Sequence, residues 1–195
     1  MLVFCAVCIA LAFATGQIKL FHLPMGGSVR AFSMFFTCLA GYLFGPIPGL
    51  VSGLAQGALN FFMSPDEIVS PIQVACDYFF AYAALGLSGF FWKMRAGVRI
   101  SFGHTDEKGD FKSRWGITFS GLEIGYLVGV TGRYIFAVIS GVAFYAAYAP
   151  EGMNPLAYSM AYNAIYIYAE AAITIILLSL PPVRRGIALI KHMAE

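Results

Sequence analysis

The sequence predicts an all-α integral membrane protein: a single domain, residues 1–195, of six transmembrane helices with both termini cytoplasmic. Three observations carry this. The chain is 59% hydrophobic and 11% charged, with a mean hydropathy of +0.76, whereas soluble domains carry about a quarter charged residues. Charge is nearly absent from stretches of roughly 20 residues, the length a helix needs to cross the hydrocarbon core. The remaining basic residues fall mainly on one side of the resulting pattern. A net charge of +2 is too small to point to nucleic acid; the expected surroundings are a lipid bilayer.

The first span is placed at residues 2–20. Ala12-Phe13-Ala14 resembles a signal-peptide cleavage site, but no Lys or Arg precedes the apolar run, so a spanning helix is expected. Ala6, Ala10 and Ala14 form a small-residue stripe on it. Such stripes mostly pack inside a bundle, and a docking face for another membrane subunit is the other reading. Spans 31–46 and 48–63 are joined through Gly45-Pro46-Ile47-Pro48-Gly49, enough chain for a tight hairpin only. Gly41, Gly45, Gly49, Gly53 and Gly57 recur every four residues across it, with the two prolines breaking the face. The fourth span covers 71–93. A basic segment, 93–115, carries six Lys/Arg and reads as a cytoplasmic loop. The fifth span, 116–146, is long enough to tilt or to extend past the bilayer, and bears a stripe of Gly121, Gly125 and Gly129. The sixth covers 156–181. After it, Arg184, Arg185 and Lys191 bring the basic count on that side to nine, against Lys19 and Arg30 opposite, where Asp66, Glu67 and Glu151 also fall. The charge bias sets both termini inside.

Several function classes lack their residues. There is no G-x-x-x-x-G-K-[ST] phosphate loop, no H-E-x-x-H and no G-x-S-x-G. His22, His104 and His192 are scattered over both sides. Cys5, Cys8, Cys38 and Cys76 lie in apolar runs and read as small buried hydrophobes, despite the C-x-x-C formed by the first two. No catalytic residue, metal site or cofactor is expected.

Ionisable residues inside spans are functional candidates by default. In IQVACDYFFAYAALG, residues 72–86, fourteen of fifteen residues sit in hydrocarbon at little or modest cost, and Asp77 is the exception. It falls six residues after Pro71, about 9 Å below the outer boundary. Asn163 lies at a similar depth on the sixth span and Tyr145 near the outer end of the fifth, so the three converge in the outer half. Tyr78, Tyr82, Tyr158, Tyr162 and Tyr166 surround them. Many of these are ordinary interfacial tyrosines, yet a carboxylate among aromatic faces suits a small organic cation. Glu123 and Arg133 read either as structural ion-pair members or as ligand contacts, and Glu170 as a pocket floor or a buried structural acid.

The segments PMGGSVRAFSM (24–34), DYFFAYAALGLSGFF (77–91) and GRYIFAVISGVAFYAAYAPEGMNPLAYSMAYNA (132–164) resemble the thiamine-specific S-component of energy-coupling factor (ECF) transporters, the ThiT/YuaJ family. The resemblance implies a six-helix S-component bundle that binds thiamine in its outer half. By motif position it implies ligand contacts from Asp77, where the family often has Glu, and from Tyr78, Gly141, Tyr145, Tyr158 and Asn163. Gly26, Gly27 and Ser28 match a loop that closes over the ligand. The family usually places a His four residues before the glycine, where this chain has Ala137. The implied partners are an ECF transmembrane subunit, for which Ala6, Ala10 and Ala14 match a docking surface, and two ATPase subunits. The alternatives are a binding subunit for a thiamine precursor, analogue or other vitamin, and a stand-alone proton-coupled transporter. An intramembrane enzyme lacks a recognisable nucleophile–base or metal constellation.

Overall fold

The computed structural model describes residues 1–23, 27–63, 68–94, 98–105, 111–150 and 152–194. Gly26, the outer acids Asp66, Glu67 and Glu151, and Arg95 and Lys108 of the basic segment lie outside these residues. The helices are α1 (Leu2–Gly16), α2 (Ser33–Phe44), α3 (Pro46–Met63), α4 (Pro71–Phe91), α5 (Gly121–Phe144), α6 (Pro155–Leu178) and α7 (Pro181–Ala194). Two antiparallel hairpins interrupt them: β1 (Lys19–His22) with β2 (Ser28–Arg30), and β3 (Val98–Thr105) with β4 (Phe111–Phe119).

The architecture is mostly helical, and the all-α expectation is corrected by these hairpins. The apolar residues 116–119 belong to β4, so the fifth helix starts at Gly121. The first helix stops at Gly16, because the chain turns into β1. The tail after Pro181 is itself a helix. By length and composition, α4, α5 and α6 are long and apolar enough to cross a membrane, and α1 and α2 are shorter apolar helices.

α2 lies at the centre. Ten of its twelve residues are buried, and its Met34, Cys38 and Tyr42 share a core with Leu85, Tyr126, Val130, Ile167 and Ala171 from α4, α5 and α6. At 1.5 Å per residue it is only about 18 Å long, short of a hydrocarbon thickness near 30 Å. The other helices enclose it. Phe32, in the left-handed region at φ 62, leads into it.

α3 follows through Gly45, which takes φ 101, a value a side chain would resist. Pro46 and Pro48 occupy the first turn of α3, where the missing N–H groups cost little. The five-glycine run is thus interrupted at the prolines: Gly41 lies on α2 and Gly45 in the turn, while Gly49, Gly53 and Gly57 form one buried face of α3. A Cβ on Gly49 would stand 2.8 Å from the Gly86 carbonyl oxygen of α4. On Gly53 and Gly57 it would run into the carbonyl oxygens of Tyr82 and Tyr78. The Gly121–Gly125–Gly129 stripe of α5 likewise abuts backbone of α4 at Ser88 and Leu85, with Met94 beyond.

Glu123 is structural. Fully buried, it closes a capping box with Ser120 at the start of α5 and accepts from Arg184 Nη2 of α7 at 2.7 Å. α7 lays Val183, Ile187, Ile190 and Ala194 against the core. Its Lys191 Nζ donates to the Trp92 carbonyl at 2.7 Å and lies 4.1 Å from the Tyr42 ring centroid. On α1 the buried residues are Cys8, Ala12 and Gly16, whereas Ala6, Ala10 and Ala14 are exposed. Of the two readings of the alanine stripe, internal packing is the one this exposure disfavours.

Candidate ligand-binding site

A cavity of about 1000 Å³, counted out to its open mouth, lies between α4, α5, α6 and the first hairpin. Helical spacing accounts for its lining. Gln73, Asp77, Tyr78, Ala81 and Tyr82 come from one face of α4; Arg133, Ala137, Ser140 and Gly141 from one face of α5. Tyr158, Ser159, Tyr162, Asn163 and Tyr166 come from α6. Tyr145, at the end of α5, and Gly27, Ser28 and Arg30 complete it.

Asp77 stands in a π-helical turn, Ala75–Phe80, a rare conformation that recurs at functional sites. Asp77 and its neighbour Tyr78 both line the cavity. Gln73 Nε2 donates to Asp77 Oδ2 at 2.7 Å and to Tyr145 Oη at 3.1 Å. Buried Gln73 therefore ties α4 to the end of α5 and holds the carboxylate in place. Tyr78 packs edge-on against Phe61 of α3, ring centroids 5.5 Å apart.

On α6, Tyr158 and Tyr162 stack at 6.0 Å and Tyr162 meets Tyr166 edge-on at 5.8 Å. Asn163 Nδ2 donates to the Ser159 carbonyl at 2.8 Å and to the Ala137 carbonyl at 3.4 Å, while its Oδ1 accepts from Tyr166 Oη at 2.7 Å. Asn163 thus links α6 to α5 while lining the cavity. Gly141 permits this approach, since a Cβ there would meet Ser159 Oγ. Gly27 N donates to Tyr162 Oη at 2.9 Å, fastening the first hairpin over α6. A Cβ on Gly27 would lie 2.5 Å from that oxygen.

Arg30 Nη1 donates to Asn60 Oδ1 at 3.0 Å and to Tyr82 Oη at 3.3 Å, and its Nε to Ser28 Oγ at 3.3 Å. Arg133 lies with its guanidinium carbon 4.4 Å from the Tyr82 ring centroid. Arg133 therefore lines the cavity, and among the described residues it forms no direct salt bridge. Glu170 is the reverse case. Buried and absent from the lining, it accepts from Met34 N at 3.1 Å and Arg30 N at 3.4 Å, capping α2.

Asp77, Tyr78, Gly141, Tyr145, Tyr158 and Asn163 are all brought together here with Gly27 and Ser28, while Gly26 lies outside the described residues and Ala6, Ala10 and Ala14 lie on α1 away from the cavity. Sequence reasoning missed Gln73, Ser140 and Ser159, and took Arg30 for a loop charge. The available signals were the i, i+4 spacings Gln73–Asp77 and Ser159–Asn163. Among the described residues, no group of three or more His, Cys, Asp or Glu is placed to hold a metal.

The Thiamine transporter protein family (Thia_YuaJ) matches residues 2–189. The thiamine transporter ThiT of Bacillus subtilis (strain 168) is 32% identical over 158 residues, spanning 81% of this chain and 76% of that protein. ThiT of Lacticaseibacillus paracasei (strain ATCC 334) is 28% identical over 136 residues, 68% of this chain and 62% of that one. A solved structure of ThiT from Listeria monocytogenes superposes with a TM-score of 0.69 at 19% identity, covering 91% of this chain and 90% of that one, so the fold is shared. With a match running from residue 2 to residue 189 and several helices able to span a bilayer, this chain belongs to the thiamine transporter family, multi-pass membrane transporters and not enzymes.

Proposed function

We propose that this chain is the substrate-capture subunit, or S-component, of an ECF-type vitamin importer, binding thiamine in the cavity between α4, α5, α6 and the first hairpin. The observation that carries the reading is the convergence of Asp77, Tyr78, Gly141, Tyr145, Tyr158 and Asn163 on one cavity. Asp77 supplies a counter-charge for the thiazolium or a hydrogen-bond acceptor for the aminopyrimidine. The tyrosine faces supply stacking and cation–π attraction. Gly27 and Ser28, with Gly26, form the loop that closes over the ligand, and the Gly27–Tyr162 bond is its latch.

In this reading the chain crosses the membrane six times with both termini cytoplasmic, α1 to α6 being the spans and the cavity opening outward. The basic residues of 93–115 and of α7 support that orientation. The exposed Ala6, Ala10 and Ala14 offer a flat docking surface to an ECF transmembrane subunit, which two ATPase subunits drive. The chain has no phosphate-loop motif of its own.

The test is calorimetric titration of thiamine into the purified chain in detergent, followed by uptake into liposomes. Saturable binding by the isolated chain, with uptake appearing only when the energising subunits are added, is expected. Absence of binding at micromolar thiamine overturns the assignment. Uptake by the chain alone under a pH gradient replaces it with a proton-coupled transporter.

A further inference from the structure

We propose that α7 is an interfacial helix whose basic side engages anionic phospholipid headgroups and whose exposed apolar flank enters the adjoining acyl region. This surface lies at the end of the bundle remote from the cavity and does not depend on what the cavity binds.

The position of α7 follows from what it touches. Arg184 Nη2 donates to Glu123 in the first turn of α5, and Arg184 Nε to the Leu178 carbonyl at the end of α6 at 3.1 Å. Seven residues further, about 10 Å along the helix, Lys191 Nζ donates to the carbonyl of Trp92, just past the end of α4. The same Nζ sits over the ring of Tyr42, near the end of α2. These are four helix ends on one side of the bundle, and α7 runs across them. A helix that crosses the ends of membrane-spanning helices lies along the bilayer surface. Trp92, an amphipathic ring suited to headgroup depth, has Lys93 Nζ 4.8 Å from its ring centroid.

At about 100° per residue, α7 divides into sectors. Val183, Ile187, Ile190 and Ala194 pack against the core. Leu189 and Met193, four residues apart on one flank, are 62% and 59% exposed. Arg184 and Lys191 border the other flank, and exposed Arg185 lies opposite the packed sector. No Asp or Glu occurs between Pro181 and Ala194. Glu123 pairs with Arg184, and among the described residues Arg185 and Lys191 form no salt bridge. Contact with the bundle is also incomplete. A crevice of about 500 Å³, counted out to its open mouth, lies between Ile187 and Ala188 of α7 and Tyr42, Leu122 and Leu178 of the bundle.

An anionic bilayer surface answers both features at once. Headgroup phosphates supply the missing negative charge, and each Lys or Arg near such a surface adds to the attraction. The acyl region accepts Leu189 and Met193, whose exposure to water is unfavourable. A soluble acidic partner would match the charge and leave the apolar flank in water.

The experiment reconstitutes the full chain in nanodiscs of phosphatidylcholine alone and of phosphatidylcholine mixed with phosphatidylglycerol. Amide hydrogen exchange is read over α7, and thiamine is titrated into the same discs. Exchange is expected to be slower in the anionic discs by about fivefold, the scale of one basic side chain at such a surface. Arg185→Gln is expected to lose most of that difference and Arg185→Lys to keep it, with melting temperatures establishing that both are folded. Leu189→Gln combined with Met193→Gln is expected to speed exchange in both lipids. Equal exchange of wild type in the two lipids, or a difference that survives Arg185→Gln intact, overturns the headgroup contact. Exchange unaffected by the two glutamines overturns the apolar contact. Protection that appears only when ECF transmembrane and ATPase subunits are added assigns the face to a protein and overturns the lipid. Absence of thiamine binding in both lipids overturns the cavity reading and leaves the exchange result standing.

Discussion

The two sides of α4 are built in opposite ways. Towards α3 the contact is backbone on backbone: Gly49, Gly53 and Gly57 press against Gly86 and the carbonyl oxygens of Tyr82 and Tyr78. Towards α5 and α6 the same two tyrosines present their rings to a cavity. Tyr78 meets Gly57 of α3 through its carbonyl, while its ring borders the ligand space and packs edge-on against Phe61 of α3. Side chains hold the helices apart on one side only because glycine lets them touch on the other. The lesson is that the cavity's shape is indexed to a contact with no side chain in it.

The largest expected effect breaks the glycine side. Gly57→Val sets two methyls against the carbonyl at the π-helical turn and is expected to cost about 3 kcal/mol, read as a lower melting temperature in detergent together with lost thiamine binding. An unchanged melting temperature would show that the backbone contact is dispensable. Next comes the cavity side. Asp77→Asn keeps the shape and one acceptor for Gln73 but removes the charge. Thiamine affinity is expected to fall by about 1–3 kcal/mol with stability little altered; an equal dissociation constant would remove Asp77 from the ligand contacts. The smallest effect sharpens the comparison. Ala137→His adds a ring to the cavity wall and is expected to tighten thiamine by about 0.5–1.5 kcal/mol through stacking, while weaker binding would show that the space beside Ala137 is needed open.

Residues differ in how far the sequence exposed them. Asp77 was legible because a charge in an apolar run has few explanations, and the family motif extended it to Tyr145, Tyr158 and Asn163. Gln73 and Ser140 are neutral, and neutral polar residues in a helix gain meaning only once the facing of the helix is known. A π-helical turn shifts that facing and has no sequence signature. Arg30 was counted as an outer loop charge because nothing local shows that a short hairpin folds back over Asn60 and Tyr82. The strands β3 and β4 lay in a segment read through its charge, and the apolar residues of β4 were absorbed into the following span. In α7 the basic residues concealed the spacing of Val183, Ile187, Ile190 and Ala194 that packs it against the core.

Glu170 has a consequence for the order in which the protein is made. Its carboxylate holds the amides of Arg30 and Met34, which precede it by 140 and 136 positions. At ribosomal rates of about 5–20 residues per second, that separation is on the order of ten seconds. Until α6 is inserted, the Met34 amide in the first turn of α2 and the Arg30 amide at the end of β2 must be kept by water or lipid headgroups, because hydrocarbon offers them no acceptor. The helix at the centre of the bundle is therefore among the last to settle, and a nascent chain halted before residue 170 carries α2 without its cap.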